Sequence, residues 1–390
     1  MSYRALVGKK AGGGSGPEWL QVSPKIKLSA IALAALLLGS PLWHKSSAAG
    51  GPPRFAPDPT WPKALPNNWM LGGIGGIFVD SHDHIWVANR PRSLQNNDKY
   101  AALNPPQADC CVPAPPVLEF DSAGNLIQAW GGPGTGYEWP DTEHGMFVDY
   151  KENVWIAGNG AKDTQILKFT KNGKFLLQIG HHGRTGGSND TENLNRPAAI
   201  AVYSKTNEVF VADGYGNRRV IVYDADTGAY KRHWGAYGNK PDDRASNERT
   251  FEGPGPAQFS TPHGIAISND GLVYVGDRRN NRIQVFQPDG TFVKEGYVER
   301  KTLGEEGTAF DITFSPDKQQ QFLYVPDGVN KKVQILNRQT LEVMGFFGGH
   351  GGRGFGEFFH IHNISSDSKG NIYLGESFGQ RIVRWNYKGM

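Results

Sequence analysis

Cysteine is almost absent: the 390 residues hold two, and they are neighbours, Cys110-Cys111. A framework of long-range disulfides is therefore excluded. Charge of one sign is also missing, since 41 Lys and Arg stand against 38 Asp and Glu, a net charge of +3. No basic stripe offers a footprint for nucleic acid, so no nucleic-acid partner is expected. The charge-free apolar stretch from Leu28 to Trp43 falls short of the ~20 residues a membrane-spanning helix needs. Glycine is plentiful but has no three-residue period, which excludes collagen.

What is present begins with a leader. Residues 1–27 carry Arg4, Lys9, Lys10, Lys25 and Lys27 against Glu18 alone. The apolar stretch follows, then the small residues Ser46-Ser47-Ala48-Ala49. This order reads as an export signal over residues 1–49, or as a signal-anchor if it stays uncleaved. The Lys/Arg bias holds the N-terminus in the cytoplasm and places the rest outside, periplasmic or secreted. Membrane attachment follows only from an uncleaved signal. Residues 50–66 read as a linker. In an oxidising compartment the adjacent thiols of Cys110 and Cys111 favour a vicinal disulfide, a stiff plate suited to lining a pocket.

With Gly 51, Pro 25, Phe 20, Tyr 14 and Trp 10, the remainder suits an all-β fold with many tight turns. It is also repetitive. GGIFVDSHDHIWVANR (75–90), HGMFVDYKENVWIAGN (144–159), AAIAVYSKTNEVFVADG (198–214), HGIAISNDGLVYVGDR (263–278), FDITFSPDKQQQFLYVPDG (310–328) and HNISSDSKGNIYLGES (362–377) share one pattern. Each is an alternating strand, a polar turn and a second strand, and most continue into a third and fourth. One four-stranded sheet cannot cover both its faces, but six packed radially can. The expected fold is a six-bladed β-propeller over residues 67–390. The last repeat stops after its third strand, so NNWMLGG (67–73) is expected to complete that blade and close the ring.

Strand order puts the starts of the first strands, the loops after the second strands and the connections between blades on one face. The residues that begin the first strands are Gly75, His144, Ala198, His263, Phe310 and His362. Histidine occupies alternate blades, 120° apart, so three imidazoles should meet at one height on the axis. Three nitrogen donors with an open fourth position suit zinc in a catalytic role. Iron, copper or nickel would also accept such donors. His82 and His84 fall in a turn on the opposite face.

The loops after the second strands face the ring. They include ANRPR (88–92), DGYGNRR (213–219) and DRRNNR (277–282). Tyr215, Arg278 and Arg90 stand out: a phenol beside a cation and a metal can act as a base, and arginines can grip a carboxylate through two parallel bonds. Arg218, Arg279 and Arg282 read as surface turn residues.

At these residues the chain resembles the NHL-repeat propellers and, within them, peptidyl-α-hydroxyglycine α-amidating lyase. LNRPAAIAV…VADGYGNRRVIVY, FSTPHGIAI…VYVGDRRNNRIQVF and FHIHNI…IYLGESFGQRIVRW carry the likeness. The resemblance implies zinc on His144, His263 and His362, a catalytic tyrosine at Tyr215, and substrate-binding arginines at Arg278 and Arg90. It also implies a structural calcium in the channel, which here would fall to Asn363 and to carbonyl oxygens near Ile77 and Met146. The chain departs from the family in three places. Gly216 stands where the family has a disulfide-forming residue, Asn363 stands where it has an acid, and residues 91–116 lie outside its pattern. The implied activity is cleavage of a carbinolamide to an amide and glyoxylate, acting as a monomer on a small-molecule or peptide substrate. Two alternatives remain open: another metal-dependent hydrolase or lactonase on the same ring, and a non-catalytic binding module.

Overall fold

The structure is a computed structural model and describes residues 51–390. The export signal read over residues 1–49 lies outside the described residues. Each repeat forms a four-stranded antiparallel sheet, and six such sheets make a propeller. The first strands are Gly73–Val79, Glu143–Val148, Ala199–Tyr203, Pro262–Ile267, Thr313–Phe314 and Ile361–Ser366. They line the axis and touch the first strands of neighbouring blades. The outer strands follow in chain order in five blades.

The sixth blade borrows its outer strand from the front of the chain. Phe55–Asp58 pairs with Arg381–Tyr387, with Phe55 opposite Tyr387 and Asp58 opposite Arg384. The Arg384 Nε donates to Asp58 Oδ2 at 3.0 Å, and the Phe55 ring packs on Tyr324 and Phe347. The closing strand is thus 55–58, inside the stretch read as a linker, and not 67–73. Geometry explains the correction. An outermost strand stands three strand spacings, about 14 Å, from the innermost. A strand at 67–73 would leave no residues to cross that distance before Gly73–Val79 begins, whereas residues 59–72 allow it after Phe55–Asp58. Trp69–Met70 instead forms a short parallel pair with Val112–Pro113.

Middle strands are apolar on both sides because neighbouring blades cover both faces. Phe322–Asp327 and Val273–Asp277 are buried at every residue. Six apolar clusters result, one at each contact between adjacent blades. Between blades three and four, for example, Phe210, Val222, Phe259, Val273 and Phe286 meet. Fully burying each such side chain contributes roughly 1.5–3 kcal/mol, so the ring is held by its interfaces and not by any one sheet.

Two local features turn this scaffold into a site. The ladder between first and second strands slips by one residue at Glu143/Met146, Pro262/Gly264 and Ile361/Asn363. These bulges fall at His144, His263 and His362, and a bulge re-aims a side chain. Blade one has the same slip at Ile74/Gly76, around Gly75, while blades three and five have none. Second, glycine follows His144 and His263. A Cβ on Gly145 would sit 2.5 Å from the Ala198 carbonyl oxygen, and one on Gly264 would sit 2.6 Å from the Asp311 Cα. Only glycine lets the inner strands approach this closely. Gly145→Ala should therefore cost roughly 1–3 kcal/mol by overpacking, read as a lowered midpoint in thermal or denaturant unfolding.

Candidate active site: a three-histidine ring

His144, His263 and His362 meet at the axis. Their donor nitrogens lie within 4.8 Å of one another, and their ring centroids are 4.7–5.0 Å apart. All three are essentially buried. His144 Nδ1 donates to the Ala198 carbonyl at 2.7 Å, and His263 Nδ1 to the Phe310 carbonyl at 2.5 Å. His362 Nδ1 donates to Asn363 Oδ1 at 2.8 Å. A carbonyl oxygen can only accept, so each Nδ1 carries the hydrogen and each Nε2 keeps its lone pair. Ala198 and Phe310 are the residues that blades three and five place at the histidine position. Even blades supply the imidazoles, and odd blades supply two of the carbonyls that orient them. Such outer partners fix a ligating histidine's tautomer. Three neutral, oriented nitrogens fit a metal ion.

Tyr215 closes the mouth of the ring. Its hydroxyl lies 3.0 Å from Nε2 of both His144 and His263 and accepts from the Arg278 guanidinium at 3.3 Å. The loop carrying Tyr215 is clamped at its ends by Asp213 and Arg219, paired at 2.9 Å and fully buried. The Arg278 loop is clamped in the same way by Asp277 and Arg282 at 2.7 Å. Arg282 is thus a structural clamp and not a surface turn residue. Arg278 Nε donates to the Glu306 carbonyl, and its guanidinium lies 4.6 Å from the Phe310 ring centre. Arg90 Nε donates to the Glu143 carbonyl at 2.6 Å, while its NH2 nitrogen is buried without a partner. Burial lowers the Arg90 pKa. Burial, reinforced by the neighbouring histidines and arginines, also holds all three histidines well below the usual imidazole range.

His362, Tyr215, Arg278 and Arg90 line one cavity of about 360 Å³. Its wall also holds residues that the sequence reading passed over or read differently. Arg196 had no signal beyond its place before the first strand of blade three. Arg279, read as a surface residue, is exposed yet reaches the cavity rim. His360 could have been found from strand alternation, since residues two apart share a face. His360 Nδ1 is 2.9 Å from the Ser377 hydroxyl, and its Nε2 is 2.7 Å from a Glu306 carboxylate oxygen.

Ile77, Met146 and Asn363 line a second cavity, of about 260 Å³, in the channel. The Asn363 side-chain oxygen is already engaged by His362. The carboxylate in that channel comes from Asp311, which burial pushes up to about 7. Cys110 and Cys111 are joined in a disulfide, but neither lines the three-histidine cavity. Asn68 binds the neighbouring backbone at Asp109 and Val112.

Fold and site together define a six-bladed propeller with a three-histidine centre. The NHL repeat signature matches residues 259–286. The chain is similar to mouse NHL repeat-containing protein 3, 27% identical over 75% of this chain and 70% of that protein. It is also similar to Drosophila melanogaster peptidyl-alpha-hydroxyglycine alpha-amidating lyase 1, 24% identical over 85% of this chain. The match spans 59% of the fly protein's length. A solved streptogramin B lyase shares the fold, with a TM-score of 0.50 at 14% identity, covering 86% of this chain and 98% of that one.

Two outcomes follow from the site's construction. Asp213→Asn leaves Arg219 buried without its counter-charge, and breaking such a pair costs about 3–5 kcal/mol. Denaturant unfolding measures this loss. In metal-free protein the folded histidines stay neutral below pH 6.5, where the unfolded chain takes up protons. The histidines' contribution to stability is therefore present above pH 6.5 and is lost as the pH falls below it, while Asp311, raised to about 7, contributes in the opposite direction below pH 7. A variant with all three histidines changed to Gln should show a shallower fall in the same melting series.

Proposed function

We propose that the protein is a metal-dependent lyase that cleaves the C–N bond of a carbinolamide, releasing an amide and an aldehyde acid such as glyoxylate. The observation that carries this reading is the Tyr215 hydroxyl, 3.0 Å from two of the three ring nitrogens and held by Arg278. Zinc held by His144, His263 and His362 would supply Lewis-acid activation of the substrate hydroxyl. Tyr215 is placed to take the hydroxyl proton. Arg278 fixes the phenol oxygen through one nitrogen. With the unpartnered Arg90 NH2, it offers the substrate carboxylate its donors. As the O–H electrons form the carbonyl, the C–N pair passes to nitrogen. The nitrogen takes up a proton, so the change is an elimination without oxidation. The likeness to the fly lyase supports the same chemistry.

The leader over residues 1–49 supports action outside the cytoplasm, with membrane attachment only if it is retained. A monomer acting on a small-molecule or peptide substrate is the form we propose. A second reading, a hydrolase or lactonase on the same ring, draws on the Ser377–His360–Glu306 hydrogen-bond chain. Such a chain can activate a hydroxyl.

His263→Ala should abolish both stoichiometric metal in the purified protein and turnover of hydroxyglycine peptides. Tyr215→Phe should keep the metal and lower kcat by roughly 10²–10⁴-fold. Pure protein without a transition metal overturns the lyase reading. Turnover of lactones with no glyoxylate from hydroxyglycine peptides selects the hydrolase.

A further inference from the structure

Elsewhere in this protein buried arginines come with carboxylates: Arg219 with Asp213, Arg282 with Asp277. The cavity breaks that rule. Arg90, Arg196, Arg278 and Arg279 all line it, and among the described residues none pairs with an acid. Arg90, Arg196 and Arg278 spend their Nε groups on backbone carbonyls of Glu143, Asn159 and Glu306. One carboxylate stands on the wall, that of Glu306, and it is taken by His360. Arg278 is buried, Arg90 and Arg196 are half-buried and Arg279 is exposed at the rim. Four cations around one cavity without a paired acid repel one another, and this concentration of charge suits an anion. One substrate carboxylate, held by Arg90 and Arg278, leaves two arginines over.

Arg196 is also fixed with care. Its backbone sits in the left-handed region, φ 60°, which non-glycine residues adopt uncommonly. Its N–H donates to the Asp163 carbonyl at 2.8 Å, and its own carbonyl accepts from the Tyr215 N–H at 3.3 Å. Its guanidinium carbon lies 5.5 Å from the Tyr215 ring centre, as does that of Arg278. The turn that positions Tyr215 therefore also presents Arg196 to whatever binds there.

We propose that the substrate carries a second anionic group, bound by Arg196 and Arg279, and is a small dianion of the dicarboxylate class. What the site then does to that dianion rests on the lyase reading; the binding does not. Calorimetric titration of the purified full-length protein with succinate and with propionate, at matched ionic strength, tests it. Succinate should bind at least about tenfold tighter than propionate, a gap of roughly 1.4 kcal/mol. Arg196→Ala should erase that advantage and Arg279→Ala, at an exposed position, should reduce it. Both should leave propionate affinity and metal content unchanged. Equal affinities in the wild type, or a succinate advantage that survives both substitutions, overturns the proposal. A preserved advantage without turnover of any carbinolamide overturns the lyase reading alone.

Discussion

The site depends on three hydrogen bonds made on the hidden side of three imidazoles. Each Nδ1 donates to an oxygen of the wall, so each Nε2 faces the axis with its lone pair free. Without those acceptors the rings could turn or change tautomer, and the donors would not converge. The bulges and the two glycines serve the same end from the backbone. They turn the histidines inward and draw neighbouring strands together until a carbonyl of the next blade reaches each ring of blades two and four. His362 has no such neighbour, and Asn363 supplies the oxygen instead.

Charge is arranged around this ring in two shells with different rules. The outer shell is neutralised internally: Asp213 with Arg219 and Asp277 with Arg282 close the loops and carry no net charge. The inner shell is left positive. Arginines beside burial-neutral histidines make protonation of the ring unfavourable, which keeps the nitrogens available to a cation. The same arginines attract an anion to the mouth. A metal ion and an anionic ligand would thus each lessen the repulsion that the other meets, which is a reciprocal coupling.

Much of this was legible from residue order. The repeats gave six blades because alternation and turn residues recur, and position within the repeat brought His144, His263 and His362 together. Tyr215, Arg278 and Arg90 reach the cavity because they follow second strands, which end at that face. What escaped was set by contacts between distant segments. Phe55–Asp58 is a four-residue strand without a turn signal, and only its pairing with Arg381–Tyr387 defines it. Arg196 lies before a strand, where sequence offers no direction for a side chain. The disulfide at Cys110-Cys111 was expected to line the pocket, but its segment is held against residues 68–70 instead. The channel carboxylate is Asp311 of blade five, beside Asn363.

The way the ring is fastened sets an order of events. Synthesis and any export deliver Phe55–Asp58 early, but its partner strand is among the last residues of the chain. Until residue 387 has emerged, blade six lacks an edge and the first blade lacks a neighbour. Every earlier intermediate is an open arc, with no closed channel to hold the three imidazoles in register. The three imidazoles therefore belong to a ring whose closure rests on a contact between its first and last described strands.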